Sequence, residues 1–211
     1  MKRGLLIAVC GLDGAGKTTQ INLLNNWFET NKLPCEITKQ PTDYYRNDRR
    51  VRRYLDHGEC QDMKVLALLA AADRRYHLSA YIEPSIKRGM SIITDRYLYS
   101  SLAYFKFRGL EHEYVKYLNG DIREPDITIF LDIDPEITLL RVRNRDGQHT
   151  KYEEKDPRMF TEIRNHFKEV LPATTLLIDA TLDKQTIHER IVSEVSNKQS
   201  VLNGGVSVGI K

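Results

Sequence analysis

A chain of 211 residues with 41% hydrophobic content can bury one substantial α/β core and is short for two. Its formal net charge of +3 gives no field strong enough to argue for a nucleic-acid or membrane-surface partner, so neither is expected. Cys10, Cys35 and Cys60 are odd in number and form no CxxC pair, which argues against a disulfide framework and predicts reduced thiols in a cytoplasmic protein. The apolar run from Val65 to Ala72 is far shorter than a membrane span, and Lys2 and Arg3 lead into a β-like run with no cleavage-type segment.

In chain order, Gly4 to Val9 is a continuous apolar run ending at a glycine-rich turn, the pattern of a strand buried on both faces. Ile21, Leu24 and Phe28 then recur at helical spacing, predicting an amphipathic helix from about Lys17 to Thr30. Further strands are predicted at Cys35 to Lys39, Ser91 to Thr94, Ile127 to Ile133 and Thr175 to Ile178, separated by helical stretches. That alternation implies βαβ units and a parallel sheet. A long helical region runs from Asp62 towards Met90, with Pro84 expected to kink or divide it. Asp134-Pro135 reads as an N-cap followed by proline at the first helical position. The domain is predicted over 1–195, followed by a mobile tail over 196–211 that carries Gly204-Gly205.

Gly11-Leu12-Asp13-Gly14-Ala15-Gly16-Lys17-Thr18, with Thr19 behind it, satisfies G-x-x-x-x-G-K-[ST] between a predicted strand and a predicted helix. Backbone N–H groups of such a loop surround phosphate oxygens at a helix N-terminus. Lys17 is positioned to neutralise the β and γ phosphates of ATP, and Thr18 offers a hydroxyl to Mg²⁺. Asp95, at the end of the third strand, is a second candidate for Mg²⁺, and Arg96 beside it can reach phosphate. There is no N-K-x-D guanine-reading motif, and the histidines show no metal-ligand spacing.

An ordered set of segments is similar to the thymidylate kinase family: GLDGAGKTTQ, LLAAADRR, DRYLYSSLAY, REPDITIFLDIDPE and the arginine-rich stretch after it. The resemblance implies a P-loop NTPase fold, a central parallel sheet of about five strands flanked by helices, and an arginine-bearing lid over about 141–156. It further implies ATP-dependent phosphoryl transfer to a nucleoside monophosphate, dTMP above all, with Mg²⁺, by a homodimer. By the same resemblance, Asp13 sits near the acceptor sugar and Arg96 holds the acceptor phosphate. Arg74 contacts the base, Ser100 and Tyr104 line its pocket, and Tyr152 lies near the acceptor. Of the cluster Arg46, Arg49, Arg50, Arg52 and Arg53, Arg52 best fits the family's acceptor arginine. Gly14 occupies a place where some members carry arginine, and members without it use the lid. Arg141, Arg143 and Arg145 supply that lid here, with Arg145 and Arg141 as the catalytic candidates, because arginines closing over the transferred group stabilise its spreading charge.

The chain departs from the family at Cys10, usually acidic, at Lys39-Gln40-Pro41, where arginine and glutamate are common, at Ala70, commonly an aromatic that stacks on thymine, and at Phe105, often polar. These departures bear on the acceptor base. A kinase for another base, a nucleoside kinase, and a nucleotide-binding regulator or ATPase without transfer are the alternatives. A nucleoside kinase needs a carboxylate base for a neutral hydroxyl, and Gln40 cannot serve as one.

Overall fold

In a computed structural model, which describes residues 3–146, 152–156 and 158–202, five parallel strands form one sheet in the order β2-β3-β1-β4-β5. They are β1 (Leu6–Gly11), β2 (Cys35–Lys39), β3 (Ser91–Asp95), β4 (Ile127–Asp132) and β5 (Leu176–Asp179). β1 is central and wholly buried, with Ile7 opposite Ile93 on one side and Ile127 on the other. Its alternate residues feed two cores, as a strand's period of two dictates. Leu6, Ala8 and Cys10 join Ile92 and Phe130 on one face, while Leu5, Ile7 and Val9 join Ile93, Ile129 and Leu131 on the other. A doubly covered parallel sheet is the reason β1 reads as an unbroken apolar run.

On the second face lie α1 (Lys17–Thr30) and α10 (Lys184–Leu202), whose Ile21, Leu24, Phe28, Ile187, Ile191 and Val195 fill that core. The first face carries α4 (Met63–His77), α6 (Leu98–Phe107) and α9 (Arg158–Val170). Shorter helices are α2 (Asp43–Arg46), α3 (Arg49–His57), α5 (Glu83–Lys87), α7 (His112–Asn119) and α8 (Pro135–Asp146). The Asp134 carboxylate accepts from Glu136 N at 2.8 Å, so the acidic cap and the proline open α8 as the sequence indicates. The long region from Asp62 is divided before Pro84 by a π-helical turn, Leu78–Ile82. α10 runs through Leu202, so residues expected in the tail from Ser196 to Leu202 are helical, and 203–211 lie outside the described residues. No described helix is long and apolar enough to cross a membrane.

The chemistry is placed by the ends of β1 and β3. Both strands run parallel into the same edge, so the loop after β1 and the turn after β3 are neighbours. Ligands in open α/β sheets bind outside the carboxyl ends of the strands, where the order reverses.

Candidate active site

The loop from Gly11 to Thr18 turns through glycines in the left-handed region, Gly14 at φ 89° and Gly16 at φ 90°. A Cβ on Gly16 would meet nothing within 4 Å, so glycine is required there by backbone angle alone. At Gly14 a Cβ would also meet Thr138 O at 3.2 Å and Arg141 Cβ at 3.5 Å, because the loop lies against α8. Arg141 Nη1 donates to Gly14 O at 3.2 Å. Of the expected lid arginines, then, Arg141 touches the phosphate loop, and exposed Arg145 lies one turn further along α8. Residues 147–151 of the expected lid lie outside the described residues.

Lys17 is buried, donates to Leu12 O at 2.8 Å and lies 3.6 Å from Asp13. Burial lowers its pKa to about 8, with Arg96 adding to the effect and Asp13 and Asp95 opposing it. A cation held at that cost is stabilised by an incoming phosphate. Thr18 and Thr19 at the start of α1 are exposed.

Arg96 occupies the left-handed region at φ 70°, which a non-glycine residue enters at a cost. Its turn is held by Arg96 N donating to Val9 O at 2.9 Å and by buried Thr94 Oγ1 donating to Arg96 O at 2.8 Å. The guanidinium, 8% exposed, donates to Asp13 at 2.6 Å and to the Tyr104 hydroxyl at 3.2 Å, and its carbon lies 5.0 Å from the Tyr104 ring centre. Burial works against its charge, but the Tyr104 oxygen, Asp13 and Asp95 outweigh it and raise its pKa. Arg96 Nη1 and Asp95 Oδ1 are buried without a hydrogen-bond partner among the described residues. Such groups are costly unless something binds them.

A cavity opens beside this pair, with Asp13, Arg96, Ser100, Ser101, Tyr104 and Phe105 among its walls. Pro41, Tyr45, Arg46, Leu55 and Arg108 complete it with Met159 and the acidic pair Glu153 and Glu154. It therefore brings together Asp13, Arg96, Ser100 and Tyr104 as the sequence indicates. Arg46 stands in the wall where Arg52 was expected. Arg52 is exposed on α3 and paired with Asp56 one turn on, while Arg46 donates to Pro41 O at 3.1 Å. Ala70, 1% exposed, packs in the core and is not in the wall, and Phe105, Tyr45 and Tyr104 are the rings that line the cavity.

Arg74 is also set back from the cavity. It is 1% exposed and donates through Nε to Gln40 Oε1 at 3.0 Å, through Nη1 to Asn119 Oδ1, and through Nη2 to Ser101 Oγ at 2.6 Å. Burial lowers its pKa to about 10. The neutral acceptors satisfy a charge that has no carboxylate bonded to it, and Ser101 is the link from Arg74 to the wall. Tyr152 is exposed outside the cavity. Its N–H donates to Leu55 O at 3.0 Å, and its ring sits where a Cβ on Gly58 would come within 2.4 Å.

Arg108 and Glu153 were not singled out in the sequence. They form a buried bidentate pair at 2.8 and 2.7 Å, with Tyr54 donating to Glu153 at 2.7 Å. Arg108 lies 5.1 Å from the Tyr54 ring centre, 5.7 Å from that of Tyr104 and 5.1 Å from that of Phe105. With Tyr54, the pair pins the last residues of the expected lid to α3 and to the end of α6. Arg-Gly at the end of an aromatic helix is the local signal, but the partner lies 45 residues away.

The thymidylate kinase family model matches residues 9–191. A probable thymidylate kinase of Pyrococcus abyssi is 34% identical over 93% of this chain and 98% of its own length. One from Thermococcus kodakarensis is 35% identical over 90% and 96%. The thymidylate kinase of Schizosaccharomyces pombe is 31% identical over 92% and 93%. With the phosphate loop, the Arg96 turn and the adjoining cavity in one site, and with these matches over most of its length, the chain belongs to the thymidylate kinase family.

Proposed function

We propose that the protein transfers the γ-phosphoryl group of ATP to dTMP, forming ADP and dTDP. The observation that carries this reading is Arg96: a buried, charged guanidinium with an unpartnered nitrogen, held at the junction of the phosphate loop and a cavity walled by rings and hydroxyls. An acceptor that is itself a phosphate dianion satisfies that nitrogen, while the cavity takes its sugar and base.

A phosphate oxygen of dTMP attacks the γ-phosphorus, and the bond from that phosphorus to the β–γ bridging oxygen breaks as ADP leaves. Lys17 leaves Leu12 O for the β and γ phosphates of ATP. Arg96 fixes the acceptor phosphate, and Asp13 holds Arg96 in place while facing the cavity, where the acceptor sugar lies. Arg141 is best placed to reach the transferred group, since it already contacts the phosphate loop. The attacking oxygen is anionic, so no carboxylate base is needed, consistent with Gln40 being committed to Arg74 and His77. The unpartnered Asp95 Oδ1 and the exposed Thr18 hydroxyl fit Mg²⁺. When bound, Mg²⁺ neutralises charge on the β and γ phosphates. The free thiols fit the reducing cytoplasm, and the family's dimeric state completes the reading.

ADP release measured with ATP, Mg²⁺ and each of dTMP, dUMP, UMP, CMP, AMP and GMP tests this. The highest kcat/KM should belong to dTMP. Release that ignores the acceptor would make the protein an ATPase, and a purine preference would assign it another base.

A further inference from the structure

α7 opens with His112, and α9 presents His166 and Glu169 one turn apart. One donor atom from each of these side chains lies within 4.8 Å of the others. His166 Nδ1 is 3.3 Å and His112 Nδ1 4.0 Å from the same Glu169 oxygen, and the two rings meet edge to face at 5.9 Å. We propose that His112, His166 and Glu169 form a Zn²⁺ site that clasps α7 to α9.

The donor set decides the class of ion. Two imidazoles and one carboxylate are the borderline nitrogen and oxygen ligands of Zn²⁺, and hard Mg²⁺ prefers oxygens alone. Zn–N and Zn–O bonds of about 2.0–2.2 Å in a tetrahedron separate neighbouring donors by about 3.4 Å. The His166 to Glu169 distance already matches. The His112 distance closes by rotation of the Glu169 side chain, which is 54% exposed and free to turn. Zn²⁺ also needs neutral imidazole. Burial lowers the pKa of His112, and Lys106, His166 and Lys116 push the same way against Glu169. Both lysines have their own carboxylates, Lys106 with Glu111 and Lys116 with Glu113, which moderates their repulsion of an ion. His112 Nε2, the other nitrogen of that ring, is buried without a hydrogen-bond partner among the described residues, so no protein bond holds the ring away from an ion.

The site has a structural consequence. α9 carries Met159 of the acceptor cavity and packs on α6, which carries Ser100 and Tyr104. An ion shared by α7 and α9 ties the helix after the lid to the helix after the cavity wall.

The test uses the full chain, freed of metal by a chelator and dialysis, titrated with Zn²⁺ against a chromophoric competitor and separately with Co²⁺ in the visible range. Wild type should take up one equivalent of Zn²⁺ in the presence of excess Mg²⁺ and give the intense d–d absorption of low-coordinate Co²⁺. His112→Ala, His166→Ala and Glu169→Gln should each weaken uptake by at least about tenfold, since losing even an outer partner of a ligand costs that much. Zn²⁺ should raise the Tm of wild type and leave that of the His112→Ala/His166→Ala variant unmoved. No uptake by wild type at micromolar Zn²⁺, or uptake that survives in the double variant, overturns the proposal. If one variant fails to fold, the other two decide.

Discussion

Replacing Glu153 by Gln keeps the side chain's size and removes its charge from the pair with Arg108. The partners are 9% and 7% exposed in their side chains, so water reaches Arg108 only through the cavity that it lines. Burial works against that guanidinium and Glu153 more than offsets it, holding its pKa above the ordinary value. Breaking one side of a buried pair costs about 3–5 kcal/mol. For a chain of this size each kcal/mol moves Tm by about 2–4 °C, so Tm should fall by about 6–20 °C. The cause is the stranded charge and not the lost bonds. Arg108→Met/Glu153→Met should therefore recover most of the loss, because apolar replacement of a buried pair is often neutral or better. Thermal unfolding of Arg108→Met, Glu153→Met and the double variant supplies the cycle. A Glu153→Gln protein melting within about 2 °C of wild type, or a double variant less stable than either single one, would refute the reasoning.

Lys17→Met should lower kcat by about 10²–10³ and yet stabilise the nucleotide-free protein. The folded pKa near 8 lies below the ordinary 10.5. The unfolded chain therefore binds more protons between those values, and stability rises with pH across that window. The penalty is fully present below pH 8, so at pH 7 Lys17→Met should gain up to roughly 3 kcal/mol in Tm-derived stability. That gain should shrink as pH rises from 8 to 10.5. A variant no more stable than wild type at pH 7 would show Lys17 to be solvated. Arg141→Ala should lower kcat and kcat/KM by a similar factor, with a smaller effect for Arg145→Ala. A rise in ATP KM alone for Arg141→Ala would make that residue a ground-state contact. Phe105→Leu should raise the dTMP KM by roughly 5- to 150-fold if the ring stacks on the base. Ala70→Phe, buried in the core, should instead cost about 1–3 kcal/mol of stability through overpacking, and improved dTMP binding in that variant would contradict the placement of Ala70.

What the sequence could reveal divides by the range of the forces involved. The phosphate loop and α1 are legible because backbone angles at Gly14 and Gly16 and the spacing of Ile21, Leu24 and Phe28 are local constraints. The strands were legible for the same reason, to within a residue or two at their ends. Side-chain direction on α3 and α4 was not. Whether Arg46 or Arg52 faces the cavity depends on how α2 and α3 dock on the rest, and Arg52 finds a partner in its own helix. Ala70 and Arg74 lie on the buried face of α4 behind the wall, and only tertiary packing distinguishes that layer from the wall itself. Arg108 and Glu153 are ordinary charged residues until a fold removes both from water. α10 outlasts its apolar stripe, since Ser196 to Leu202 continue the helix without burying into the core.

The cavity wall is also the core. Phe105, Tyr45 and Met159 belong to the same buried cluster that covers one face of the sheet, and Ser101 is bonded to a guanidinium that is itself wholly enclosed. A change of acceptor base therefore reaches beyond the loops into the core. A substitution at Tyr45, Phe105 or Met159 that reshapes the cavity also repacks that core, and its cost in stability must be offset elsewhere in the chain. Drift in substrate preference among relatives should consequently run through paired replacements, one in the wall and one behind it, with each intermediate less stable than either endpoint.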